Sequence, residues 1–238
     1  MRSGRVRKEP GRSQGSVSAA FGQKAALRDG ALARGEPVAF AGSFQLGRKK
    51  RERSCVSDLE SIIRRVHESP LQVVVVVTGG GSRALAELLS VPGASKTLLE
   101  GLIPYSQRAL EDFLGFRPQH FVSNETAVAL ARKAHGRALA LRGGGAQAQV
   151  LGLSCTAALR TDRPKKGDHR AHIAVHGGPG GETTVWSVVL SKGARNRRAE
   201  EEVVADLMIR ALAERCGVAA AASQMLLAEE RLTVRRVE

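Results

Sequence analysis

Five consecutive valines, at residues 73–77, constrain the fold of this chain more than any other feature. The run is β-branched and apolar without polar alternation, which predicts a strand buried on both faces. Such strands lie in sheets that helices cover on both sides. The valines are followed by Thr78, three glycines at 79–81 and a helical pattern. The sequence therefore predicts a central strand, a tight turn and a helix.

The remaining hydrophobic periodicity alternates between helix and strand. A helix is predicted to begin at a cap on Ser57 and to end near residue 69, just before the valine strand. Further helices are predicted at 82–90, 95–100, 107–114, 123–141 and 198–215, and further strands at 102–105, 150–154, 169–175 and 183–190. The last two strands flank a glycine-rich connection, which predicts a hairpin. This order predicts an α/β fold, a three-layer α/β/α sandwich on a mixed sheet.

Charge divides the chain into three parts. Residues 1–54 carry 13 Lys and Arg against four acids, so +9 of the net charge of +14 lies there. We expect 1–54 to be a disordered basic extension, 55–217 to be the α/β domain and 218–238 to be a tail or linker. The extension is typical of an organelle transit peptide, but its GRKKRER cluster also fits a nuclear signal. A third alternative is an extension that carries no targeting signal. We expect an intracellular protein whose compartment, cytoplasm or organelle, stays open.

Composition argues against several classes of protein. Cys55, Cys155 and Cys216 are odd in number and form no CxxC pair, which argues against a zinc site or a disulfide framework. No apolar run approaches the roughly 20 residues that span a bilayer, so a soluble protein without a membrane partner is expected. Aromatic residues make up only 3% of the chain, which gives nucleic-acid bases little to stack on. His169 and His172 face opposite sides of one predicted strand and should not share a metal.

Short motifs follow the glycine turn in a specific order. They are Thr78-Gly79-Gly80, Val91-Pro92-Gly93-Ala94-Ser95, Tyr105-Ser106, Leu114-Gly115 and Val122-Ser123. In this order they resemble the C-terminal domain of the competence-damage-inducible (CinA) family over residues 57–216, most densely over 78–130. That family includes nicotinamide mononucleotide deamidases. The closest resemblance is to the divergent eukaryotic form that is fused to nucleotidylyltransferase domains.

The resemblance implies a set of site residues. It places the family's serine nucleophile on Ser95, its active-site tyrosine on Tyr105 and its threonine on Thr156. A serine hydroxyl can attack a carboxamide carbon while nearby N–H and O–H donors stabilise the oxyanion, without a metal or an organic cofactor. The residues expected to bind the nucleotide are Thr78, Gly79, Gly80, Arg163, Lys165 and Arg198.

The chain departs from the family pattern where a base would be needed. The family lysine after the tyrosine is Leu110 here, and valines 74–77 replace a polar segment. Two functions are therefore expected as alternatives. One is an amidohydrolase acting on nicotinamide mononucleotide; the other is a catalytically silent module of NAD metabolism that binds a nucleotide or a partner. The expected partners are a small-molecule nucleotide, a second copy of the chain and a nucleotidylyltransferase domain.

Overall fold

The computed structural model describes residues 50–142, 149–178 and 180–237, with side chains from Asp58 onward. All but the last five residues of the predicted basic extension lie outside these ranges. The helices are α1 (Lys50–Glu68), α2 (Ser82–Ser90), α3 (Ala94–Thr97), α4 (Gln107–Leu114), α5 (Asn124–Leu141) and α6 (Arg197–Arg215). The strands are β1 (Gln72–Thr78), β2 (Leu98–Leu102), β3 (Val150–Ala158), β4 (His169–Gly177), β5 (Thr183–Leu190) and β6 (Arg231–Val237).

The strands form one mixed sheet in the order β2-β1-β3-β4-β5-β6. Strands β2, β1 and β3 are parallel, and each later strand is antiparallel to its neighbour. Helices pack on both faces, so the predicted α/β fold and the β4–β5 hairpin are confirmed. Among the residues that the structure describes, no helix is long and apolar enough to cross a membrane.

Strand β1 lies in the centre of the core, as the valine run predicts. Each of the five valines is at most 1% exposed. Val73, Val75 and Val77 pack in the core that contains α1, α2 and α6, whereas Val74 and Val76 pack beneath α4 and α5. Because successive side chains of a strand point to opposite faces, a strand that is apolar at every position needs both helical layers.

Several predicted boundaries are wrong, among them those of the helix predicted at 95–100, which ends at Thr97, and of the strand predicted at 150–154, which continues to Ala158. Helix α1 begins at Lys50 rather than at residue 57, and β2 occupies Leu98–Leu102 rather than 102–105. The segment predicted as a tail or linker contains β6 (Arg231–Val237), which pairs antiparallel with β5. All seven residues of β6 are exposed. Because no face of β6 is buried, hydrophobic periodicity gave no signal for this strand.

A buried ion pair anchors the segment that leads into β6. The Glu230 carboxylate is fully covered and pairs with the Arg195 guanidinium. It also accepts hydrogen bonds from the N–H groups of Ser191 and Leu227, each at 2.9 Å. Burial raises the pKa of Glu230, but Arg195 and these two donors outweigh it and hold the pKa below its usual range.

This anchor predicts a pH-dependent loss of stability. A carboxyl group whose pKa is lowered by folding stabilises the protein above its unfolded pKa and loses that effect as the pH falls through the folded pKa. We expect Glu230→Gln to lower the free energy of unfolding by about 2 kcal/mol at pH 7. Near pH 3 the same substitution should lower it much less. Urea denaturation of both proteins at the two pH values measures this. An equal difference at both pH values would contradict it.

Candidate functional site

The carboxyl ends of the three parallel strands bring most of the predicted site residues to one edge of the sheet. Thr78 at the end of β1 is the register partner of Thr156 near the end of β3. Tyr105 follows three residues after the end of β2 and is 70% exposed. Gly79 and Gly80 continue directly from β1. We refer to this part of the molecule as the carboxyl edge.

Ser95 lies at the opposite edge. It is in α3, just before β2, and Leu98 at the start of β2 pairs with Val73 near the start of β1. The neighbouring Thr97 hydroxyl lies 3.1 Å from Nδ1 of His67, near the end of α1. Thr78 lies five positions after Val73 along the strand, which corresponds to a distance of about 17 Å.

The family resemblance implies a cleft that Ser95 shares with Thr78 and Tyr105, but within one chain these three residues do not meet. The ten residues between Ser95 and Tyr105 include the whole of β2, and they cross the sheet from one edge to the other. An order of motifs along the sequence does not show how many of the intervening residues are extended. This is the physical reason why the prediction of a shared cleft is wrong.

The glycine turn is packed against its own chain. Gly79 has a φ of +72°, and a Cβ on it would lie 2.0 Å from the main-chain oxygen of Ala157 in β3. Gly81 has a φ of +90°, and a Cβ there would lie 2.5 Å from the sulfur of Met208 in α6. The glycines are thus required for close packing of the turn against β3 and α6.

A carboxylate of the protein occupies the start of α2. The predicted role of the turn relied on free N–H groups at this helix end, where an anion is favoured. Glu201 of α6 accepts hydrogen bonds there from the Ser82 hydroxyl at 2.9 Å and from the Arg83 N–H at 3.2 Å. These donors are not free for a ligand phosphate.

A second acid of α6, Glu200, is completely buried. One of its oxygens lies 2.6 Å from Nδ1 of His169, and the other accepts the Arg160 N–H at 2.6 Å. Glu200 therefore ties the start of the β3–β4 loop and the start of β4 to α6. These roles of Glu200, Glu201 and His169 were not predicted, although an acid such as Glu200 in the first turn of a helix favours interaction with N–H groups and cations.

Several cations belong to the β3–β4 loop and to the elements beside it. The Arg197 guanidinium donates to the Gly79 oxygen at 2.8 Å and to the Arg160 oxygen at 3.2 Å. Burial, and then the positive charges of Arg197, Arg163 and Arg170, lower the pKa of Lys165, and the charge of Glu200 opposes them. The β3–β4 loop carries Arg160, Arg163, Lys165 and Lys166 against Asp162 and Asp168, so it presents an excess of positive charge at the carboxyl edge.

Arg198 occupies a different environment. Its side chain is 81% exposed, and its Nε lies 3.4 Å from the Glu202 carboxylate. It lines a cleft of about 640 Å³ between the starts of α2 and α6, together with Ser82, Arg83, Ala86, Arg197 and Glu201. The structure thus places Arg198 on this cleft, whereas Arg163 and Lys165 belong to the β3–β4 loop.

His169 and His172 of β4 face opposite sides of the sheet, as predicted. His169 contacts Glu200 of α6, whereas Nδ1 of His172 lies 2.9 Å from the Ser187 hydroxyl, which donates to Asn124 of α5. Within residues 50–142, 149–178 and 180–237, no three His, Cys, Asp or Glu side chains lie close enough together to hold a metal ion.

Several solved structures of competence-damage-inducible proteins share this fold. No family model and no curated protein matches the sequence. The competence/damage inducible protein CihA from Agrobacterium tumefaciens is similar, with a TM-score of 0.53 and 19% identity over 66% of this chain and 95% of that one. A competence or damage-inducible protein from Enterobacter asburiae has a TM-score of 0.55 and 16% identity over 68% and 98%. The chain therefore has the fold of the competence-damage-inducible (CinA) proteins.

Proposed function

We propose that this protein is a catalytically silent binding module with a CinA-type fold, and that it binds a phosphate-bearing small molecule such as nicotinamide mononucleotide at the carboxyl edge. The observation that carries the proposal is the excess of cations on and beside the β3–β4 loop, where six Lys and Arg side chains outnumber three acids: Arg160, Arg163, Lys165, Lys166, Arg170 and Arg197 against Asp162, Asp168 and Glu200. Guanidinium and ammonium groups gathered in this way favour a phosphate through charge-assisted hydrogen bonds.

The position of Ser95 argues for binding without hydrolysis. A serine nucleophile needs a base within hydrogen-bond reach. The Ser95 hydroxyl makes no hydrogen bond to a described residue, and the family lysine is replaced by the buried Leu110. Amidohydrolase activity on nicotinamide mononucleotide is the second candidate, because it is supported only by the family resemblance over residues 57–216. A homodimer and a nucleotidylyltransferase partner stay predictions.

Calorimetric titration tests the binding proposal. We expect nicotinamide mononucleotide to bind at least about tenfold more tightly than nicotinamide riboside, which lacks the phosphate, since one charge-assisted contact contributes about 1.5–3 kcal/mol. The preference should shrink as salt rises. Arg163→Met should remove most of it, whereas Lys96→Met, at the opposite edge, should leave it unchanged. Equal affinities for the two ligands would overturn the proposal.

A further inference from the structure

Strand β6 is an open edge of the sheet. It stands last in the strand order, and within the described residues it pairs with β5 alone. All seven of its residues, Arg231–Val237, are exposed. Because β5 bonds to one side of the strand, the N–H and C=O groups on the other side have no strand to pair with in the described part of the chain. An edge of this kind accepts a further strand from a partner.

The edge is held in place by contacts of its own chain. The buried Glu230, directly before β6, pairs with Arg195, and Glu229 accepts a hydrogen bond from the Ser191 hydroxyl at 3.1 Å. Within the strand, the Thr233 hydroxyl donates to the main-chain oxygen of Ser187 in β5 at 3.4 Å. A strand that is already ordered lowers the entropy cost of adding a neighbour to it.

One face of β6 carries two exposed apolar side chains. Leu232 and Val234 are register partners of Val188 and Trp186, which pack in the core that contains α1, α2 and α6. Leu232 is 37% exposed and Val234 is 52% exposed. Apolar side chains of an added strand would cover both of them, since residues opposite each other on neighbouring strands are in contact.

The other face of β6 is positively charged. Arg231 and Arg235 lie four positions apart on it, which corresponds to about 13 Å along the strand. Neither guanidinium makes a hydrogen bond or an ion pair with a described residue. A third arginine, Arg236, follows, and β6 contains no acid. Glu238 lies outside the described residues and would offset only one of the three charges. The strand therefore favours a partner that carries carboxylates.

A groove beside β6 adds to this charge. It has a volume of about 810 Å³ and is lined by α5, by Phe116 and by Val237 at the end of β6. Its charged lining residues are Arg132, Lys133, Arg137 and Glu125. Because Arg137 pairs with Glu100, two cations remain against one acid. The groove is thus also more favourable for an acidic partner than for a basic one.

A second copy of the chain fits this edge poorly. If β6 paired with the β6 of another copy, six arginines would lie on two adjacent strands that contain no acid. Like charges on neighbouring strands are destabilising. An acidic partner strand avoids this repulsion.

We propose that β6 docks an acidic, extended peptide segment of a partner protein, which joins the sheet as a seventh strand. Two acidic side chains of the segment, four positions apart, pair with Arg231 and Arg235. The apolar side chains between them cover Leu232 and Val234. Main-chain hydrogen bonds to β6 supply the affinity, and the alternation of acidic and apolar residues supplies the specificity. The proposal does not depend on the phosphate site at the carboxyl edge.

Fluorescence anisotropy of the labelled peptide TEVTVET with the full chain tests this. We expect TEVTVET to bind at least about tenfold more tightly than TKVTVKT, whose charge is opposite, and than TEPTPET, whose prolines cannot donate to a strand ladder. Arg235→Glu and Arg231→Glu should each weaken binding at least about tenfold, because an attraction becomes a repulsion. The matched control is Arg108→Glu, an exposed arginine of α4, which should leave binding unchanged. Circular dichroism of the variants verifies that they are folded.

Hydrogen exchange distinguishes an added strand from an attraction between charges alone. Saturating TEVTVET should slow exchange at alternate N–H groups of β6, those that do not bond to β5. Absence of binding, equal binding of TEPTPET, or binding that leaves this exchange unchanged would overturn the proposal. Protection of the same N–H groups that rises with protein concentration in the absence of peptide would show a second copy on the edge and would overturn it too. None of these results bears on the nucleotide titration.

Discussion

Replacing Gly79 by alanine should lower the free energy of unfolding by at least about 3 kcal/mol. The new Cβ would lie 2.0 Å from the Ala157 oxygen, and the φ of +72° is unfavourable for any L side chain. The clashing atom belongs to the main chain of the central strand β3, so relief requires the turn or the strand to move. Urea denaturation followed by circular dichroism measures the loss.

Two other glycines serve as controls for this substitution. Gly193 has a similar φ of +82° but nothing within 4 Å of its Cβ position, so Gly193→Ala should cost only the backbone penalty of about 1–2 kcal/mol. Gly136 lies inside α5 with open space around it, and Gly136→Ala should stabilise the protein by up to about 1 kcal/mol. If Gly79→Ala costs no more than Gly193→Ala, the packed turn described here is wrong.

Removing the Glu200 carboxylate should also be costly. Glu200→Ala leaves the buried His169 ring and the Arg160 N–H without their acceptor, at a cost of about 3–5 kcal/mol. Glu200→Gln keeps the size and one acceptor oxygen, so we expect roughly half of that loss. The same urea denaturation, at pH 7, compares the variants.

Glu202, two residues further along α6, is the matched control. Its side chain is 33% exposed and pairs with Arg83 and Arg198. Because exposed ion pairs contribute little, Glu202→Ala should change stability by less than about 1 kcal/mol. Equal losses for Glu200→Ala and Glu202→Ala would show that the buried contacts of Glu200 do not stabilise the fold.

The parts of the fold that depend on local patterns could be predicted from the sequence. The valine run predicted a strand covered on both faces, because five apolar residues without alternation need two packing layers. The hairpin of β4 and β5 could be predicted because the glycine-rich connection and both strands are contiguous in sequence. The opposite orientation of His169 and His172 follows from the period of a strand.

The parts that depend on distant residues could not be predicted. Glu200 and Glu201 meet the β3–β4 loop and the start of α2 across 40 and 118 residues of sequence. Nothing in the sequence indicates which segment of the chain each acid contacts. The family resemblance implies one site for Ser95 and Tyr105, but β2 lies between them and spans the sheet.

The central claim is that the carboxyl edge binds a phosphate-bearing nucleotide and does not hydrolyse it. The most direct measurement is ammonia release from nicotinamide mononucleotide by the wild-type chain and by Ser95→Ala, at ligand concentrations that saturate the protein. We predict no release above the blank from either protein, while both retain binding. Release by the wild type that Ser95→Ala abolishes would contradict the account.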